Sequence, residues 1–196
     1  LMFLPLVITL VVLPSLPEKI PAHYGYDNQV TRWGSKYETL ILPAVTVLLG
    51  YFLLIVAKLS SKQKEEGKNN EDVVITTGIA VLILFTAMTC YFLYTAFNRV
   101  ENLSSVSLDI YQFLFAILGA SMIIIGTMMP RLSMNLISGL RTPWSLKNEA
   151  AWEKSQRFGG ISFIAAGIVI IIICLFVRGW QCFAWTTGIL LATVVV

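Results

Sequence analysis

The sequence predicts an all-α polytopic membrane protein: six transmembrane helices, a small hairpin-like loop on the outer face and an interfacial helix on the inner face. Three observations carry that prediction. Hydrophobic residues make up 57% of the 196 residues and charged residues only 13%, with mean hydropathy +0.77; an ordinary soluble domain carries about 25% charged residues. The charges fall in clusters that leave apolar stretches of spanning length between them. Those clusters also alternate between richer and poorer in Lys and Arg. The net charge of +3 is far short of the dense basic field that direct nucleic-acid binding needs. Cys90, Cys174 and Cys182 show no short spacing, so they suggest neither a disulfide framework nor a metal-ligand pattern.

The spans follow from the gaps between charges. Uncharged runs cover residues 39–57, 73–98, 110–130, 158–177 and 179–196, which are 19, 26, 21, 20 and 18 residues long. A helix crossing the hydrocarbon needs about 20 residues, so each run predicts a span. The shorter run 1–13 reads as the outer half of a sixth helix, with a signal peptide as the rival reading; Pro14 and Pro17 close it without a small-x-small cleavage site. The chain therefore divides into the first two spans with the outer loop 14–36 (residues 1–57), a cytoplasmic linker (58–72), and a four-span bundle carrying the inner motif loop 131–157 (residues 73–196).

Loop charge sets the orientation. Segments 58–72 and 131–157 together hold nine Lys and Arg residues, including Lys62 and Lys64, whereas the alternate loops hold five. An excess of basic residues marks the cytoplasmic side, so both termini and the two richer loops are expected to face the cytoplasm. Trp33, Tyr37, Tyr111, Trp180 and Trp185 fall near the outer boundary and Trp144 and Trp152 near the inner one, as interfacial aromatics do.

No Asp, Glu, Lys, Arg or His lies within these runs. Ion-coupled transporters keep such groups at membrane depth, so a transporter or exporter is the second reading rather than the first. Intramembrane hydrolysis needs a nucleophile–base pair or a metal cluster, and the chain has one histidine, His23. No metal or cofactor is expected. Small residues in the spans predict close helix packing instead: Gly159, Ser162 and Ala166 form one stripe, with Ala116 and Ala120 on span four. Pro43 is expected to bend span two.

Two loops carry the remaining information. In the outer loop, Pro17 and Pro21 enforce extended backbone, and Asp27-Asn28 signals a turn between the short runs 22–26 and 29–33, predicting a hairpin. Its candidate binding residues are Pro17, Ile20, Pro21, His23, Trp33 and Lys36. In the inner loop, Ser145 is placed to cap a short helix from about Leu146, with Glu149 in its first turn and an i, i+4 pair between Glu153 and Arg157. Trp152 and Leu146 are expected to rest on the membrane interface. Arg141 and Asn148 are expected to hold the loop against the ends of spans four and five, the guanidinium binding carbonyls left free at helix C-termini.

The inner loop also carries a resemblance. Gly139-Leu140-Arg141-Thr142-Pro143-Trp144-Ser145-Leu146-Lys147-Asn148-Glu149, then Trp152 and Arg157-Phe158-Gly159-Gly160, resembles the signature of SdpI-type immunity proteins, bacterial membrane proteins that protect against a killing peptide. The outer stretch Leu16-Pro17-Glu18-Lys19-Ile20-Pro21-Ala22-His23, with Trp33-Gly34-Ser35-Lys36, is similar to the small domain of unknown function at their N-terminal end. The resemblance implies six spans, a non-enzymatic role in resistance to a hydrophobic peptide toxin, and relay of toxin presence to a cytoplasmic autorepressor. The lipid bilayer, the peptide and the repressor are the partners it implies. A membrane-bound enzyme using Arg141, Asn148 and Glu149 is the third reading, since one carboxylate and one guanidinium form structural ion pairs as readily as catalytic sites.

Overall fold

The computed structural model describes residues 1–61, 67–106 and 109–195; Lys62 and Lys64 of the expected cytoplasmic linker lie outside them. The elements are α1 (Leu4–Val12), β1 (Lys19–Tyr24), β2 (Val30–Ser35), α2 (Ile41–Ser61), α3 (Gly67–Phe97), α4 (Ile110–Met128), α5 (Glu149–Phe176) and α6 (Gly179–Val195). Four segments are long and apolar enough to cross a membrane: Lys36–Ser60, Asn70–Phe97, Ile110–Arg131 and Glu149–Phe176. The apolar helix Leu4–Ser15 is shorter, and α6 has 17 residues.

Helices α1, α2 and α3 pack on one another, α4 packs with α5 and α6, and α3 meets α4 between the two groups. The closest approach is between α4 and α5. A Cβ on Gly119 would lie 2.8 Å from the Gly167 carbonyl oxygen, and a Cβ on Gly126 2.6 Å from that of Gly160. Seven residues separate the two glycines on each helix, so the antiparallel pair meets twice, two turns apart. Small residues let membrane helices approach this closely, gaining dispersion contact where no hydrophobic drive exists. The expected stripe is thus corrected: Ala120 is exposed and Ser162 only half-buried, and the contact runs through Gly160 and Gly167.

Large apolar side chains point outward along the helices, among them Leu48, Phe52, Ile55, Ile161, Ile172 and Leu175. A soluble protein rarely exposes such a belt; hydrocarbon solvates it. Polar residues sit inside instead. Thr9, Thr46 and Thr186 are fully buried, and each hydroxyl donates to the carbonyl four residues back, on Pro5, Leu42 and Cys182. Their polarity is satisfied by their own helix, which leaves no demand for a ligand.

Two helix starts share one carboxylate. Asp109, 5% exposed, accepts from the Tyr111 and Gln112 amides at the start of α4 and, through its other oxygen, from Gly179 N at the start of α6 (3.1 Å). Gly179 has φ +60, the left-handed conformation that turns α5 sharply into α6. Pro43, expected to bend span two, stands near the start of its helix instead. It is the third residue of α2, where its missing N–H has no intrahelical partner to lose. The separate inner helix is also corrected. Residues Ser145–Lys147 form a single 3-10 turn, and Asn148 caps α5 by accepting from Ala151 N (2.8 Å), after which the helix runs unbroken to Phe176.

Candidate functional site

The hairpin and the motif loop lie at opposite ends of the bundle. At the hairpin end, β1 and β2 pair antiparallel with Ile20 opposite Gly34, Pro21 opposite Trp33 and His23 opposite Arg32. Asn28 makes the turn with φ +63, a conformation asparagine tolerates. β1 therefore runs two to three residues earlier than the run 22–26 and β2 one to two residues later than the run 29–33, because the ladder reaches out to the Lys19–Ser35 pair. Ile20 is buried against Leu16, Leu93 and Ala96, seating the hairpin on α3.

The loop between α3 and α4 adds to this small sheet. Val30 N donates to Glu101 O and Leu103 N to Asn28 O, both at 3.0 Å, and the Tyr24 hydroxyl donates to Val100 O at 2.8 Å. Burial pushes the Tyr24 phenol above its usual pKa. Arg32 forks onto Glu38 at 2.8 and 3.2 Å, and Lys36 pairs with Glu18 at 2.8 Å. The bond to the Glu38 carboxylate raises the Arg32 pKa further. Glu38 also closes a capping box with Ser35. His23 Nδ1 is hydrogen-bonded to Thr31 Oγ1 on the exposed side, and among the described residues no group of three or more His, Cys, Asp or Glu could hold a metal. Pro17 is half-buried, while Trp33 (42% exposed) and Tyr26 (85%) present aromatic surface. Between the hairpin, the start of α2 and α3 lies a groove of about 310 Å³ lined by Ile20, Pro21, Val45, Met88 and Phe92, with the Arg32–Glu38 pair beside it.

The motif loop is built differently. Gln156 is fully buried, and its side-chain amide pairs with one backbone unit: Oε1 accepts from Leu140 N and Nε2 donates to Leu140 O, both at 2.9 Å. Gly139 stands beside it with φ +91, and a Cβ there would meet Gln156 Oε1 at 2.7 Å, so both conformation and space require glycine. Trp152 (1% exposed) donates from its indole nitrogen to Leu132 O at 2.6 Å and packs with Val73 and Leu132. Ser145 is fully buried, accepting from Thr142 N and donating to Leu140 O. Asn135 accepts from the Ile137 and Ser138 amides, and Asn70 of α3 accepts from Ser133 N at 2.9 Å. Each of these buried polar atoms has its partner, which is what makes a loop this polar tolerable.

The structure places the motif residues accordingly. Gly139, Thr142, Asn148 and Trp152 shape the loop; Gly159 and Gly160 are buried, Gly160 against α4 and Gly159 against Met129. Trp144 (58%) and Phe158 (50%) are exposed, as are Arg141, Pro143, Glu149 and Arg157. Three expectations are corrected. Trp152 is not an interfacial anchor, because it shares the buried face of α5 with Gln156 and Gly159; Leu146 packs beside it, half-buried. Arg141 donates to Leu136 O within the loop itself rather than to a helix end. Glu153 and Arg157 form no ion pair, and both line a polar cavity instead.

Sequence reasoning missed Gln156, Asn70, Asn135, Asp109 and the pairing of residues 100–103 with the hairpin. A signal for Gln156 was present: with Trp152 and Gly160 it follows i, i+4, i+8, which places the amide on an otherwise apolar helix face.

Comparison with known proteins matches these two ends. Residues 131–196 match the SdpI/YfhL protein family, and residues 1–47 match a domain of unknown function, DUF1648. The chain is 26% identical over 180 residues, 92% of its length and 81% of the relative's, to Immunity protein SdpI of Bacillus subtilis (strain 168). The C-terminal third of the chain thus resembles the SdpI/YfhL family. A 44-residue stretch, 22% of the chain, is 46% identical to an uncharacterised protein of Archaeoglobus fulgidus and covers 24% of that protein. No solved structure matches. The matched segments coincide with the hairpin end and with the motif loop plus the two helices that follow it. The C-terminal matched segment begins where α4 ends and includes the whole Gln156–Leu140 anchor.

Proposed function

We propose that this chain is a non-enzymatic membrane immunity protein that protects its host against a hydrophobic peptide toxin by binding it, and that it relays toxin presence to a cytoplasmic repressor. The observation that carries this reading is the likeness to Immunity protein SdpI over 92% of the chain. The geometry supports binding rather than chemistry. The buried threonine hydroxyls of α1, α2 and α6 are bonded within their own helices, the Gln156 amide is engaged by backbone, and apolar surface is offered at the hairpin groove.

In this reading α1 and α6 complete six spans, both termini are cytoplasmic, and the hairpin end faces outside. The positive charge of the linker and motif loop favours that orientation. The hairpin, with exposed Trp33, meets the peptide; the motif loop, with exposed Trp144, meets the repressor. Residues 1–57 and 73–196 then act as receiving and relaying parts joined by the linker 58–72.

The test is expression in a susceptible bacterium, with survival counted against added peptide. The wild type should raise tolerance, Trp33→Ala should weaken protection, and Trp144→Ala should spare protection while lowering repressor release. With Cys90 replaced, a thiol reagent added outside should label Tyr26→Cys and miss Lys147→Cys. The reverse labelling would overturn the orientation, and unaltered tolerance on expression would overturn the function.

A further inference from the structure

Beside the motif loop, the turn after α4 and the first two turns of α5 enclose a cavity of about 380 Å³ that the proposed function does not use. Its floor is apolar, made by buried Leu132 and Trp152. Its rim is charged: Arg131 comes from the turn, and Glu149, Glu153 and Arg157 come from the first turns of α5. The Trp152 indole N–H is already committed to Leu132 O, so the polar capacity of the site lies at the rim. Among the described residues neither Arg131, Arg157 nor Glu153 takes part in an ion pair, although oppositely charged groups share one cavity.

We propose that this cavity binds the headgroup of a phosphatidylethanolamine molecule, Arg131 and Arg157 holding the phosphate and Glu153 the ammonium. Guanidinium groups present planar forks that match phosphate oxygens. A primary ammonium brings three N–H donors to a carboxylate, which a choline headgroup lacks. A mixed rim of this kind suits a zwitterion better than a simple anion. The volume lies within the roughly 300–1,000 Å³ of small-molecule sites. A lipid, rather than a soluble phosphoamine, fits the location: the cavity opens where the apolar segment Ile110–Arg131 ends, at the level of membrane headgroups. The apolar floor then receives the glycerol and the first acyl carbons. The site faces a headgroup layer whichever way the protein is oriented, so it stands independently of the immunity reading.

The experiment uses the full chain in nanodiscs of equal phosphatidylethanolamine, phosphatidylglycerol and phosphatidylcholine, with retained lipid read by native mass spectrometry. One phosphatidylethanolamine should stay bound to the wild type. The R131Q/R157Q double variant should lower its retention about tenfold, the scale of a lost charge-assisted hydrogen bond. Glu153→Gln should erase the preference over phosphatidylglycerol while leaving phosphate-dependent retention. Unchanged thermal unfolding of these variants shows that the loss is local, since all three residues are exposed. Equal retention of the three lipids by the wild type would overturn the proposal, as would undiminished retention by the double variant. Free phosphoethanolamine, added as a separate arm to lipid-stripped protein, should bind far more weakly. Binding as tight as the lipid's would overturn the lipid assignment in favour of a soluble ligand.

Discussion

The hairpin end and the motif-loop end hold their polar groups by opposite means. At the hairpin end the charged side chains form ion pairs, Arg32–Glu38 and Lys36–Glu18, each with a partner open to solvent and laid over a short backbone ladder. At the motif-loop end the side-chain links are neutral amides and an indole with almost no exposure, each bonded to backbone. Exposed pairs contribute little net stability and are screened by salt. Buried amides contribute modestly when paired and cost heavily when orphaned. The hairpin end can therefore adjust to what lies on it, whereas the motif loop has one arrangement. In the proposed orientation, that division suits an outer face that receives varied apolar surface and an inner face that presents a fixed shape.

The largest expected effect tests the rigid end. Trp152→Ala removes a fully buried ring and orphans the Leu132 carbonyl, and should cost about 3–5 kcal/mol, measured as a lowered unfolding midpoint in detergent. Gln156→Leu is next. It keeps the apolar face of α5 but strands Leu140 N and O, at about 1–3 kcal/mol for each orphaned group, and should open residues 139–148 to limited proteolysis. Gly160→Ala should cost about 1–3 kcal/mol by forcing α4 and α5 apart, since its Cβ would stand 2.6 Å from Gly126 O. The smallest effect belongs to the adaptable end: Arg32→Gln should leave the unfolding midpoint unchanged in high salt. An Arg32 variant that unfolds the protein, or a Gln156 variant that does not, would erase the contrast.

How much of this was legible in the sequence differs between the two ends as well. The apolar runs between charges located the long helices, because charge is costly in hydrocarbon and so marks where spans stop. The hairpin was legible from Asp27-Asn28 and its prolines. Its partner at residues 100–103 was not, since that pairing joins segments some seventy residues apart with no alternating pattern to announce it. At the motif loop, Ser145 and Asn148 are both good capping residues three positions apart, and only tertiary packing decides between them. Ser145 turned inward to Leu140 and left the cap to Asn148. Trp152 reads as interfacial because charges at Lys147, Glu153, Lys154 and Arg157 surround it in sequence, whereas the last three occupy one side of α5 and Trp152 stands on the buried side. The candidate residues were thus found as a motif, while the group that anchors them to α5, Gln156, carries no chemical signature beyond its position.

The central claim is that protection comes from binding through the hairpin face, with the motif loop held fixed. It is tested most directly by titrating peptide against cells that contain measured amounts of the protein, while intact peptide is followed by mass spectrometry in cells and medium. The account predicts that the peptide dose at which protection fails rises in proportion to the amount of protein, with every peptide molecule recovered whole. Peptide fragments formed only when the protein is present, or protection that outlasts a large molar excess of peptide, would contradict it.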